Sequence, residues 1–389
     1  MPSVVSIVKT DGNVEDAVRR AVELAGGIKL NGETVLLKPN LCAAKPSGSG
    51  IVTSTEVVSA MVKLVKDLGG EVLVGDLPIA GWDPEETYRV TGMREAVEAA
   101  GGTFVDFSKD EAVTIQIPSA KKLKKVKVVK TALTVDAIIS LPVLKAHFFT
   151  GLTLSIKNLK GLTWQDQRTK IHVLGLHEPV VDLLSAFRQK LIFSLVDGTV
   201  GCEAIKPSGP LYGPTEGKPV RLNLIVAGAD PVAVDSVTAR IAGLDPHSMK
   251  ILKIASERGL GEIEDIEIRG EDVKPFKLKR RFMDKILQAL NVLWTSRTVN
   301  PIVHPLAKKI YGPQIESLRA VEKELEKVEP SRIIVDREKC NLCGVCVKAC
   351  KIGNIAVKGD NLLIGDNCLG CLICVESCPE SALSIKVGG

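Results

Sequence analysis

Residues 340–350 read CNLCGVCVKAC and residues 368–379 read CLGCLICVESCP. Cysteines stand at Cys340, Cys343, Cys346 and Cys350, and again at Cys368, Cys371, Cys374 and Cys378, so each quartet is spaced C-x-x-C-x-x-C-x-x-x-C. A tight loop with this spacing wraps three thiolates around three corners of an iron–sulfide cubane, and the fourth ligand comes from elsewhere. Zinc is the competing reading, because C-x-x-C pairs also build structural zinc sites. A zinc ion takes two such pairs, which leaves the third cysteine of each run redundant. Disulfides need an oxidising compartment, and nothing in the chain suggests secretion. The spacing therefore reads as two [4Fe–4S] clusters.

The same stretch, about Ser331 to Gly389, resembles the two-[4Fe–4S] bacterial-type ferredoxin domain. In such domains the last cysteine of each run ligates the other cluster. The resemblance implies Cys340, Cys343, Cys346 and Cys378 around one cluster, and Cys368, Cys371, Cys374 and Cys350 around the second. Cys378 is followed by the usual Pro379, whereas Cys350 is followed by Lys351, a departure that touches the potential or partner surface of one cluster. Between the quartets, Ile355 to Ile364 alternate and turn at Gly359-Asp360 like a short hairpin.

Working outward, 389 residues are too many for one small core and allow two or three domains. A formal net charge of +5 is mild and argues no more for an acidic partner than for solubility. Aromatic residues make up 4%, too few for a nucleic-acid module built on stacking platforms. Eight of ten cysteines belong to the two runs; Cys42 and Cys202 read as reduced thiols. The start, MPSVVSIVKTDG, lacks a signal sequence, and no stretch nears the roughly 20 apolar residues of a spanning helix. A cytoplasmic protein, in an anaerobic cell that tolerates oxygen-sensitive clusters, is expected.

Upstream, short β-branched runs alternate with helical patterns, as in α/β domains. Strands are expected over Val4–Lys9, Thr34–Asn40, Glu71–Asp76 and Thr103–Phe107, with helices over Val14–Ala25, Thr55–Leu68 and Pro84–Ala100, the last broken near Gly92. VTIQIP and KKVKVV (113–118 and 124–129) read as paired antiparallel strands. Asp136–Lys145, Leu152–Asn158, Leu191–Asp197, Val220–Asp230 and Asp265–Arg269 complete the strand-like runs, with helices over Glu178–Gln189, Val232–Ile241 and Ser248–Arg258. The expected architecture is a large N-terminal α/β domain with a mixed sheet over 1–273, a helical connector over 274–330, and a small α+β two-cluster ferredoxin-like domain over 331–389. The connector begins basic and becomes amphipathic, with Phe282, Ile286, Leu290, Leu293 and Trp294 near one face. Such a helix can lie on an anionic membrane surface through 277–296; packing as a plain connector is the preferred expectation.

Open parallel sheets bind ligands at the carboxyl ends of their strands. Lys38 and Asn40, Asp76, Lys145 and His147, Lys157 and Asn158, Asp197, and Asp230 all follow strand-like runs. Lysine, asparagine and aspartate gathered there suit a carboxylate- or phosphate-bearing molecule. Turn chemistry is the plainer explanation for any one of them. Lys145 and His147 are the candidate catalytic pair, and Lys38, Asn40, Lys157, Asn158, Asp197 and Asp230 the candidate substrate-binding set. Gly48-Ser49-Gly50 precedes Ile51-Val52 instead of opening a helix, so neither a P-loop nor a dinucleotide fingerprint is present.

LLKPN, SLPVLKAH, TLSIKNLKG and GADPVAVD, in that order, resemble the motifs of the family of domain of unknown function 362, over about residues 4–270. The matching positions are Lys38, Pro39, Asn40, Lys145, His147, Lys157, Asn158, Gly161, Asp230, Pro231 and Asp235. Members of that family often carry a C-terminal two-cluster ferredoxin domain, so the resemblance implies a redox association and no settled substrate.

Two functions are expected. One is an iron–sulfur oxidoreductase whose two [4Fe–4S] clusters relay single electrons to or from an anionic small molecule or a second cofactor, unidentified, in the α/β domain. The alternative is a non-catalytic electron-transfer adaptor that docks a partner redox enzyme. Either has a redox partner protein and no nucleic acid.

Overall fold

The computed structural model describes residues 2–79, 82–147, 150–164, 167–168, 171, 174, 176–203, 217–278, 332–350, 353–365, 374, 378, 380 and 382–386. The chain divides into two compact units, Met1–Thr295 and Ser296–Gly389.

In the first unit the strands are β1 (Ser3–Lys9), β2 (Thr34–Pro39), β3 (Glu71–Val74), β4 (Thr103–Phe104), β5 (Ala112–Gln116), β6 (Lys125–Val129), β7 (Ala137–Leu141), β8 (Val143–His147), β9 (Gly151–Thr153), β10 (Leu191–Glu203), β11 (Lys218–Gly228) and β12 (Ile266–Gly270). The helices are α1 (Val14–Leu24), α2 (Thr55–Asp67), α3 (Pro84–Thr91), α4 (Met93–Ala99), α5 (Thr131–Thr134), α6 (Ser155–Asn158), α7 (His177–Phe187), α8 (Pro231–Ile241) and α9 (Lys250–Glu257). Their starts follow capping chemistry. Asn13, Ser54 and Asp83 accept backbone N–H groups at the heads of α1, α2 and α3. Gly92, left-handed at φ 66°, separates α3 from α4 as expected.

The main sheet runs β12-β1-β11-β10-β7-β2-β3-β4, with β8 beside β10 and β9 beside β8. Along that path β11 alone is reversed: it is antiparallel to both β1 and β10, while the other pairs are parallel. The sheet is mixed, as expected. Side chains alternate between two cores. Val35 and Leu37 of β2 join Val18, Val58 and Met61 on one face, whereas Leu36 joins Leu183, Val232 and Ile251 on the other. Burial on both faces explains why these strands read as continuous apolar runs.

Two expected strands come out differently. Asp136–Lys145 is split at Pro142, which has no N–H for a ladder; β7 and β8 then pair with successive stretches of β10. Leu152–Asn158 is strand only to Thr153 and then turns into α6. Packing also continues past residue 273: Phe276 and Leu278 donate backbone hydrogen bonds to Ile241 and Ala242 at the end of α8, and Leu278 is buried. The rest of the expected connector, and nearly all of its candidate membrane face, lies outside the described residues. Among the described residues no helix is long and apolar enough to cross a membrane.

The second unit contains β13 (Arg332–Val335) antiparallel to β16 (Leu383–Lys386), helix α10 (Val345–Ala349), and the hairpin β14 (Ile355–Lys358) and β15 (Asn361–Ile364). The hairpin turns at Gly359, left-handed at φ 57°, as its sequence requires.

Candidate functional site

In the second unit Leu342 and Gly344 both adopt left-handed backbone, φ 57° and 70°. That coil brings Cys340, Cys343 and Cys346 around a small cavity, and Cys378 joins its lining from the far end of the domain. Asn341 fastens the two ends: its Oδ1 accepts the Cys343 N–H at 3.1 Å and its Nδ2 donates to Glu380 at 3.1 Å. Leu342, Leu362 and Leu383 line the same cavity. Four thiols gathered at one apolar recess are a donor set that fits an iron–sulfur cubane. Backbone N–H groups already point at ligand sulfurs, Ala382 to Cys378 at 3.3 Å and Asn354 to Cys350 at 3.2 Å. Cys350 and Cys374 are buried together with Cys346 in the domain core. Cys368 and Cys371, expected to complete the second ring, lie outside the described residues.

In the first unit the strand-end residues divide into three groups. One is an internal clasp. Lys38 is fully buried; its Nζ lies 2.8 Å from Asp76 Oδ1, 2.8 Å from the Pro39 carbonyl and 3.0 Å from Asn158 Oδ1. Asn158 Nδ2 donates to the Lys38 carbonyl, and Asn40 Nδ2 donates to Asn158 Oδ1. Asp76 also receives the N–H groups of Leu41 and Leu77. Burial pulls the Lys38 ammonium below the ordinary lysine range, with Asp76 opposing it. Gly161 passes so close that a Cβ there would collide with Asp76 and Lys38. Lys38, Asn40 and Asn158, expected to touch substrate, tie the ends of β2 and β3 to α6.

The second group is cationic. Lys145 on β8 is buried, and its Nζ lies 2.6 Å from the Ile51 carbonyl and 3.1 Å from Cys42 Sγ. His147, two residues on, accepts the Thr150 N–H at Nδ1 and closes the β8–β9 hairpin. Lys157 on α6 is partly exposed and, among the described residues, has no hydrogen-bond or ion-pair partner. Burial, then the charge of Lys145, pulls its ammonium down to about 7. Lys160, just past α6, is pulled well down by burial and by Lys157. Arg168 is buried and reaches the Pro78 and Gly161 carbonyls, while its Nε has no partner among the described residues. Asp235 on α8 fixes the turn that carries Lys157 by accepting the N–H groups of Ser155 and Ile156, and burial pushes its carboxyl up to about 7. Arg168 gave no sequence signal, since it follows no strand-like run, and Cys42 read only as a reduced thiol.

Asp197 and Asp230 belong to neither group. Asp197 is buried, accepts from Ser54 N–H and from Thr199, and is pushed up by burial. Asp230 follows the reversed strand β11, so it lies at the opposite edge of the sheet from Lys38 and Asp76. There it caps α8 and also holds Ser3 and Glu262.

Residues 35–240 match the family model described as domain of unknown function (DUF362), and residues 332–379 match that of the 4Fe-4S dicluster domain. A thylakoid-associated protein of Synechocystis is 28% identical over 258 residues, covering 64% of this chain and 76% of that protein. A ferredoxin of Methanothermococcus thermolithotrophicus is 33% identical over 58 residues, covering 14% of this chain and 97% of that protein. Among solved structures, the lactate racemase apoprotein of Thermoanaerobacterium thermosaccharolyticum aligns at 16% identity and a TM-score of 0.36; the match covers 62% of this chain and 57% of that one.

Proposed function

The chain belongs to the family of domain of unknown function 362 and carries a C-terminal iron–sulfur electron-transfer domain, and from that premise we propose an oxidoreductase acting on an anionic small molecule held by the α/β unit. The C-terminal unit supplies or removes single electrons, with Cys340, Cys343, Cys346 and Cys378 holding one cluster and Cys350, Cys368, Cys371 and Cys374 the other. Lys145, Lys157, Lys160 and Arg168 attract the anion, and Lys145 or His147 handles the proton that accompanies electron transfer. Lys38, Asn40 and Asn158 position these groups.

The observation that carries this reading is Lys157. A partly buried ammonium beside other cations is costly unless an anion meets it, and the Asp76 carboxylate is already engaged by Lys38. Calorimetric titration of the anaerobically purified chain with phosphate and small carboxylates tests it. Binding that weakens at least about tenfold, roughly 1.4 kcal/mol, in Lys157→Met and Lys145→Met supports the reading, provided cluster absorbance is unchanged. Absence of binding, or binding indifferent to both substitutions, would leave the adaptor. That second reading has its own observation: Val345, Val357 and Leu363 of the iron–sulfur unit are exposed, apolar surface of the kind a partner covers.

A further inference from the structure

Eight cysteines are accounted for by the cluster runs. The other two, 160 positions apart in the chain, meet at Lys145. Cys42 approaches from the loop after β2, with its sulfur 3.1 Å from Lys145 Nζ and 3.4 Å from the Ile51 carbonyl. Cys202 approaches from β10, where it stands directly opposite Lys145 in the β8–β10 ladder. The loop is pressed onto this strand: Gly50, left-handed at φ 70°, lies so near Gly201 that any Cβ would collide with its carbonyl. Both cysteines belong to one small apolar cluster with Ala43, Ile51 and Val52. Neither is disulfide-bonded.

The two thiols differ in a way that suits sequential roles. Cys42 is partly exposed and faces an ammonium, the electropositive and accessible setting in which reactive cysteines occur. Cys202 is fully buried, and burial pushes its thiol up to about 11. Burial keeps Cys202 from a substrate in solvent and leaves within its reach only a sulfur brought alongside it.

We propose that Cys42 and Cys202 are a redox-active thiol pair that reduces small anionic disulfides, Cys42 being the attacking thiol and Cys202 the resolving one. This rests on the reading of the cationic group as an anion site, since Lys145, Lys157, Lys160 and Arg168 draw the negatively charged substrate toward Cys42. The Cys42 thiolate attacks one substrate sulfur, forming a mixed disulfide and releasing the other half as a thiolate. The Cys202 thiol then gives up its proton and attacks the Cys42 sulfur, releasing the second half as a thiol and leaving a Cys42–Cys202 disulfide. The substrate has gained two electrons and one proton, and the thiolate half takes its own proton from water. Two electrons, supplied singly by the C-terminal unit, and one proton from water restore the Cys42 thiolate and the Cys202 thiol.

Oxidised glutathione, a disulfide carrying carboxylates, is a direct probe. The full chain, with clusters assembled and reduced and excess reductant removed, is mixed with it anaerobically, quenched in acid, alkylated and mapped by mass spectrometry. Expected are a peptide pair joined through Cys42 and Cys202 in the unsubstituted protein, a persistent glutathione adduct on Cys42 in Cys202→Ser, and neither product in Cys42→Ser. Cys202→Ala serves equally if serine disturbs the core. Absence of the joined peptides, or an adduct on Cys42 that persists in the unsubstituted protein, overturns the thiol pair. Cluster absorbance reports separately on the electron supply. If the joined peptides form while the clusters stay reduced through repeated additions, the thiol pair stands and the electron relay falls.

Discussion

Lys157 converts burial into a pH dependence whose sign can be worked out. Its ammonium is pulled down to about 7 by burial and by Lys145, so anion affinity falls as pH rises through 7, by at most about tenfold per unit. Calorimetry with phosphate between pH 6 and 9 checks this, and Lys157→Met removes the slope along with most of the affinity. Stability of the ligand-free protein runs the other way. An unfolded lysine keeps its proton to about pH 10.4, so between 7 and 10 the unfolded state binds more protons and folding stability rises with pH. Lys38 makes a different prediction. Replacing it with methionine leaves Asp76 buried without its cation, a loss of about 3–5 kcal/mol, seen as a lowered denaturation midpoint. Strand-end position made both lysines legible as candidates. It could not separate them, because the distinction depends on whether a carboxylate from another strand arrives, as Asp76 does for Lys38 and none does for Lys157 among the described residues.

At the level of elements, alternation and caps revealed nearly every strand and helix of the first unit, because both are local. Direction was not local. Between β10 and β11 lie residues 204–217, long enough for a parallel crossover and no obstacle to an antiparallel return. The sequence therefore offered Asp230 as one more strand-end carboxylate, and the reversal of β11 carries it to the other edge. Its work there is capping α8. Asp230→Ala should cost about 0.5–2 kcal/mol of stability, measured by chemical denaturation, while leaving phosphate affinity unaltered. An equal loss of affinity would mean that the two edges communicate through α8, whose Asp235 fixes the turn carrying Lys157.

For the molecule as a whole, the two units rest on different sources of stability. The α/β unit has two extended apolar cores, one on each face of its sheet. The core of the C-terminal unit is small, and Cys346, Cys350 and Cys374 are themselves part of it. Metal binding and folding are coupled in domains of that kind. Oxidative removal of iron with a chelator should therefore abolish hydrogen-exchange protection over residues 332–386 while β2, β7 and β10 keep theirs. The cysteine spacing announced this unit unaided, since three of a cluster's four ligands stand within a few residues of one another. The meeting of Cys42 and Cys202 had no such signature; the pairing of β8 with β10 and the loop after β2 pressed onto β10 bring them together.

Gly161 carries a consequence for descent. Its backbone lies against the Lys38–Asp76 pair with no room for a methyl group, so three positions from three separate segments form one steric and electrostatic unit. A relative that loses the glycine must lose or shorten the pair in the same lineage, and one that neutralises the pair frees position 161 to vary. Across the family these three sites should thus be inherited as a block, changing together or standing still.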